Sequence, residues 1–308
     1  MLFRRPSPAP HPPFAALPAT QLCVGPGERM LAINVRGTLA SPLLPVVCIP
    51  GYHRNMTDYA VFASQLVAAN QDRPVVLLDL AGRGRSAPLR KAADYSSLVD
   101  MEDVLAVIDA LGIFRAVFVG QGHGGQVIMA MAAQRPGAIA GAVLIDAGPV
   151  SDSRGLVRLR NNLRHIEGLG SARLAREAMR RVLATDYPSA DEATLDMLAQ
   201  RAFRFDLRNR VTPLYDRKLI ARLDGFDFDD IFEPQWPLFD ALASAELMLM
   251  RTQLTDLLRR ETFEEMARRR EDAVTLTIAG QGSPALLDGA DTTKAVVDFL
   301  AGMEAGRH

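Results

Sequence analysis

A chain of 308 residues with 48% hydrophobic composition has enough apolar mass for one large core, or for one domain carrying an insertion. Its 35 basic and 36 acidic residues leave a formal net charge of -1, which supplies no electrostatic reason for a nucleic-acid partner. Cys23 and Cys48 stand in unrelated contexts and suggest neither a disulfide framework nor a metal pattern, and no apolar run reaches the roughly 18 residues of a membrane span.

The chain opens on a proline-interrupted stretch with two arginines and no continuous apolar run. It reads as a disordered or extended tail over residues 1–20, not as a secretion signal, and a cytoplasmic protein is the expectation. Short apolar runs then predict strands at 30–35, 45–50, 74–80, 116–120 and 142–147, and later at 247–251 and 274–279. Helical patterns fall at 55–69, 98–111, 123–134 and 291–303. Continuous apolar strands separated by helices argue for a mostly parallel sheet covered on both faces.

The alternation breaks between about 151 and 241. Arg-rich amphipathic helices are expected at 155–167, 171–184 and 191–204, followed by a loop with Phe226, Phe228, Phe232 and several aspartates, and then Trp236. No strand pattern appears there. The segment reads as a helical cap, 151–241, inserted into a core made of 21–150 and 242–308. The basic cap faces are interleaved with carboxylates and so read as solvated surface, and the aromatic residues either wall a pocket or pack the cap on the sheet.

The stretch "VFVGQGHGG" (117–125) joins an expected strand to an expected helix through a knot of glycines. Such a turn has two mechanical uses. Gly120, Gly122 and Gly125 satisfy the G-x-G-x-x-G spacing that cradles a pyrophosphate at a helix N-terminus, with Asp146 as the acid about 20 residues on. Alternatively, Gly120-Gln121-Gly122-His123-Gly124 is a nucleophile elbow, G-x-S-x-G, with Gly122 at the nucleophile position. A dinucleotide fingerprint usually opens its unit, whereas this turn sits in mid-sheet, and that context favours the elbow.

Six motifs in order carry a resemblance to the α/β-hydrolase fold superfamily from about residue 30 to the C-terminus: "CIPGYHRNMTDY", "LLDLAGRGRSAP", the elbow stretch, "AVLIDAGP", "LMLMRTQLTDLL" and "TIAGQGSPALLD". The resemblance implies an eight-stranded, mostly parallel sheet flanked by helices. It also implies that the backbone N–H groups of Tyr52 and His123 form an oxyanion hole and that Asp256 is the triad acid. Gly122 replaces the serine, Gly282 stands where the histidine base belongs, and Thr252 replaces the usual glycine of the acid loop. Gln281 and Ser283 flank Gly282, and neither is a base near neutral pH. Glycine tolerates the strained elbow backbone, so the turn survives while the chemistry of a serine acyl-enzyme is lost.

The function expected from this pattern is binding of a small hydrophobic or ester-like ligand, or non-serine chemistry, in a pocket between cap and core, with no cofactor and no metal. A homodimer is compatible with it. An active ester hydrolase using His123 as a replacement base, a dinucleotide-dependent oxidoreductase and a partner-binding scaffold are the alternatives. His53 faces His123 from the oxyanion loop, but two histidines fall short of a metal signature. His165 is expected on the cap surface and His11 and His308 in the tails. Asp79 is expected to hold the loop that follows it, and Asp256, without its histidine, to be a relic or an arginine's partner.

Overall fold

Strands buried on both faces need apolar residues at every position, and β3 (Val46–Ile49) meets that demand. Val46 and Cys48 join the apolar cluster on one face of the sheet, and Val47 and Ile49 join the cluster on the other. The same alternation runs through β4 (Val75–Leu78), β5 (Ala116–Gln121) and β6 (Ile139–Ile145), each buried along its whole length. The computed structural model describes residues 11–25, 27–70, 72–205 and 210–305. The other strands of the main sheet are β1 (Thr20–Val24), β2 (Arg29–Arg36), β9 (Glu246–Thr252) and β10 (Val274–Ile278).

The sheet has eight strands in the order β1-β2-β4-β3-β5-β6-β9-β10. Only β1 and β2 run antiparallel to their neighbours. One face is covered by α1 (Ala60–Ala69) and α10 (Ala290–Ala305), through residues such as Phe62, Leu66, Val296 and Leu300. The other is covered by α2 (Ser97–Ala110) and α3 (His123–Gln134), through Val104, Ile108, Val127 and Met131. This is the α/β architecture the sequence predicts, and α3 has the expected bounds.

The cap is built on α4 (Ser153–Gly168), α5 (Ala172–Asp186) and α6 (Glu192–Ala202), which bury Leu163, Ile166, Met179, Leu183 and Leu198 in a core of their own. Aspartates start two of these helices: Asp152 accepts the Arg154 N–H and Asp191 the Thr194 N–H. The expectation of a strandless cap is corrected. β7 (Phe203–Phe205) and β8 (Val211–Pro213) pair antiparallel, and they end α6 earlier than the expected 204. Three residues are too few to display an alternation in sequence. The short α7 (Arg217–Ala221) and α8 (Trp236–Asp240), and α9 (Arg260–Arg269) between β9 and β10, were also not anticipated.

The expected tail over 1–20 differs where it is described. Phe14 and Leu17 are 6% and 0% exposed, and His11 is buried with its Nε2 against the Gln200 carbonyl at 2.6 Å. Burying two such apolar side chains is worth roughly 1.5–3 kcal/mol each, enough to fix a short segment on the core. Residues 1–10 and His308 lie outside the described residues. Among the described residues, no helix is long and apolar enough to cross a membrane.

Candidate functional site

The carboxyl ends of the parallel strands open beneath the cap into a cavity of about 420 Å³. The cap supplies an apolar wall, including Leu156, Leu159, Leu163, Met179, Leu183 and Phe226. The strand ends supply Tyr52, Gln121, Gly122, His123, Asp146 and Ser283. Polar groups on the sheet edge thus face the cap's apolar side chains, beside which the cap also carries Arg158, Asn162, Asp186 and Arg222, an arrangement suited to a small molecule with a reactive polar centre.

The sharp turn between β5 and α3 centres on Gly122, at φ 50° and ψ -112°. Its N–H is tied to the Ile145 carbonyl at 2.8 Å, and its own carbonyl accepts the Gly125 N–H at 3.0 Å. A Cβ added at Gly122 would meet only Leu257 Cδ1, at 3.3 Å, so space lies open above the turn. Gly124 is a case of close approach: a Cβ there would overlap the Ile49 carbonyl oxygen. The backbone N–H groups of Tyr52 and His123 make no hydrogen bond among the described residues. That of His123 heads a helix, where the dipole favours negative charge.

The His123 ring is held by two groups. Its Nε2 lies 2.7 Å from Asp100 Oδ2, and Tyr52 meets it edge-on with ring centroids 5.4 Å apart. Asp100 in turn receives both terminal nitrogens of Arg83 at 2.9 Å, and Arg83 Nε donates to the Tyr52 carbonyl at 2.8 Å. Arg83 and Asp100 are each 1% exposed. Burial works against ionised Asp100, but Arg83 and the His123 hydrogen bond outweigh it, and the carboxyl ends below its ordinary range. With Nε2 bound to Asp100, Nδ1 is the free nitrogen. It has no partner among the described residues and is not sealed from solvent.

The other end of the cavity is occupied. Asp256, the expected acid, pairs with Arg158 of the cap: Oδ2 to Nε is 2.5 Å. Arg158 also reaches Asp186 at 3.3 Å. Gly282, the expected base position, donates its N–H to the Asp186 carbonyl at 2.6 Å, and a Cβ there would lie 3.0 Å from both Asp186 Cβ and Oδ1. The cap therefore crowds the place where a histidine side chain would leave the backbone, and Asp186 would have to give by a few tenths of an ångström. Of the two readings open for Asp256, arginine's partner is the one the geometry fits.

Asp146, at the end of β6, sits at φ 49° and is fully enclosed. It accepts the Thr252 N–H at 2.8 Å and the Thr252 hydroxyl at 2.7 Å, together with the Ser283 hydroxyl. Burial raises its pKa to about 6. These bonds occupy the carboxylate that a ribose would need. Asp79 accepts the Met56 and Arg85 N–H groups at 2.7 and 2.9 Å, which is the loop-holding role.

His53 also lines the cavity, but its ring turns edge-on to Tyr215 and its Nδ1 is sealed without a partner. Burial first, then Arg54 and Arg83, keep it well below the ordinary histidine pKa, hence neutral. The structure does not turn it into a facing partner of His123. Of the four cap aromatic residues singled out in the sequence, Phe226 lines the cavity and the other three do not. Phe232 packs against Phe226, Phe228 is exposed, and Trp236 lies against Phe239 and under Arg269. His165 is exposed, as expected.

Sequence reasoning missed Asp100, Arg158 and Asp186. Asp100 lies in the first turn of α2, behind its Ser96 cap. An acid there ordinarily reads as a partner of the helix dipole, so nothing local marks its contact with His123.

A sequence model of the alpha/beta hydrolase family matches residues 46–299. An alpha/beta hydrolase from Novosphingobium aromaticivorans DSM 12444 is similar in structure, with a TM-score of 0.80 and 27% identity over 93% of this chain and 99% of that one. The 3-hydroxybutyrate-oligomer hydrolase of Cupriavidus necator is 31% identical over 128 residues, 41% of this chain and 42% of that protein. Esterase YbfF of Escherichia coli is 29% identical over 106 residues, 34% of this chain and 39% of that protein. The chain spans well under half the length of the curated relatives it matches.

Proposed function

The chain belongs to the alpha/beta hydrolase family, and from that premise we propose that it hydrolyses small ester-like carbonyl compounds without a serine acyl-enzyme, using His123 as the base. The observation that carries this reading is the buried Arg83–Asp100–His123 chain, with the second ring nitrogen of His123 left open. Esterases and hydrolases among the relatives support the reaction class.

In this reading the substrate carbonyl sits over Gly122, in the space a serine side chain would otherwise take. A water attacks the carbonyl carbon and gives its proton to His123 Nδ1. The negative charge gathers on the carbonyl oxygen, facing the Tyr52 and His123 N–H groups. Collapse breaks the ester bond, and the alkoxide leaves with the proton from Nδ1. Asp100 accepts from Nε2–H and stabilises the transient imidazolium, and Arg83 keeps Asp100 ionised.

His123→Ala is expected to lower kcat/KM for p-nitrophenyl butyrate by about 10²–10⁴-fold. The wild type is expected to show no acyl-enzyme burst and to resist fluorophosphonate reagents. Equal rates for wild type and variant would remove the catalytic reading. The crowded Gly282 position favours a second one, a binding protein without turnover. For that reading, a carbonyl ligand would still saturate the cavity while neither protein cleaves esters.

A further inference from the structure

Four arginines line the cavity. Arg54 is held by Asp58 at 2.5 Å, Arg83 by Asp100 at 2.9 Å, and Arg158 by Asp256 and Asp186 at 2.5 and 3.3 Å. Arg222 differs: among the described residues it has no carboxylate, carbonyl or aromatic partner. The cavity's carboxylates are meanwhile engaged elsewhere. Asp152 is taken by Arg154 and Arg259, and Asp146 by Thr252 and Ser283.

The fold fixes where this unmatched charge stands. Arg222 follows α7 directly, and α7 is anchored to the site because the Tyr52 hydroxyl donates to the Leu219 carbonyl at 3.0 Å. The next residue, Leu223, is buried and lines the cavity, which places Arg222 at the rim with its head exposed. Burial raises the Tyr52 phenol above its ordinary range, and the charges of Arg83 and Arg222 both oppose that rise. Arg222 is thus near the ring that touches His123, with the apolar side chains of Leu159 and Phe226 also lining the same cavity. Asn162 of α4 lines the cavity too, and its side chain makes no hydrogen bond among the described residues.

We propose that the natural substrate is an anion, with a carboxylate that pairs with Arg222 and a short apolar chain linking it to the reacting carbonyl. The proposal rests on the carbonyl site described above and names its substrate class. A guanidinium matches a carboxylate with two parallel N–H donors, which a neutral tail cannot use.

Two ketones separate this specificity from turnover, because neither can be hydrolysed: 5-oxohexanoate carries the carboxylate and 2-hexanone does not. Ligand-observed NMR titration of the full chain is expected to show about tenfold tighter binding of 5-oxohexanoate, the size of one charge-assisted contact. Arg222→Gln is expected to erase that preference, with 2-hexanone binding unchanged, and Arg222→Lys to restore part of it. Equal affinities in the wild type, or a preference that survives Arg222→Gln, would overturn the proposal. If the preference follows Arg222 while no ester is cleaved, the hydrolytic reading fails and the anion site stands.

Discussion

At the Gly122 end of the cavity the space beyond the backbone is open but for one leucine methyl, whereas at the Gly282 end it is crowded by Asp186. A Cβ at Gly122 meets one movable leucine methyl at 3.3 Å. A Cβ at Gly282 meets Asp186 Cβ and Oδ1 at 3.0 Å and its Cα at 3.2 Å. The first end keeps free N–H donors and a backed histidine. The second has been drawn into the cap–core contact, where Arg158 holds Asp256 and Asp186 together. Two glycines at positions expected to hold catalytic side chains therefore have unlike surroundings. One leaves room for a ligand, and the other makes room for a neighbouring helix.

The largest expected effect comes from breaking the open end. Asp100→Ala leaves the Arg83 guanidinium buried without its partner, which costs about 3–5 kcal/mol of stability. Chemical denaturation should show that loss, and ester turnover should fall with it as His123 loses its orienting group. An unchanged stability would mean that water replaces the carboxylate and that the chain of contacts is not rigid.

The crowded end carries a pH signature through Asp146. Its folded pKa of about 6 lies above the ordinary 3.8, so between those values the folded chain holds a proton that the unfolded chain has released. Raising the pH through that window therefore removes stability, and the loss is complete above about pH 6. Asp146→Asn has no such ionisation, so its stability relative to wild type is expected to rise by up to about 3 kcal/mol from pH 4 to pH 7. A pH-independent difference between the two proteins would place Asp146 in a wetter setting than its enclosed position implies.

The smallest effects sharpen the contrast between the glycines. Gly122→Ser is expected to fold at a cost of about 1–3 kcal/mol for a side chain at positive φ. Gly282→His must also displace Asp186, and overpacking of this kind costs about 1–3 kcal/mol even where neighbours can shift. Adding Asp186→Ala to Gly282→His should recover part of the melting temperature. A Gly122→Ser/Gly282→His double variant should remain free of acyl-enzyme until Arg158 is also removed from Asp256. Acyl-enzyme formation by the simple double variant, seen by mass spectrometry, would show that the cap yields easily.

Much of the sheet was legible because parallel strands advertise themselves as continuous apolar runs, as in "PVVLLDL" and "AVFVG". β1 was not, because "TQLCV" at an edge buries only its last residue fully. β7 and β8 were too short to show a period, and α9 carries charges at most of its positions. In the site, Gly122 and His123 were visible through the glycine turn. Asp186 was hidden, since nothing in a helix end reveals that it will lie against a loop 96 residues later.

The sequence by itself determined the sheet, the elbow turn, and the absence of a serine at position 122 and of a histidine at 282. Those follow from local rules: strand periodicity, backbone strain at a tight turn, and which side chains can carry a proton or act as a nucleophile. The tertiary structure alone decided that His123 meets Asp100, 23 residues away, that Arg158 claims Asp256, and that Arg222 stands unmatched at the rim. Charge pairing depends on distances of a few ångströms between separate elements, and only the packing of helices on the sheet and cap sets those.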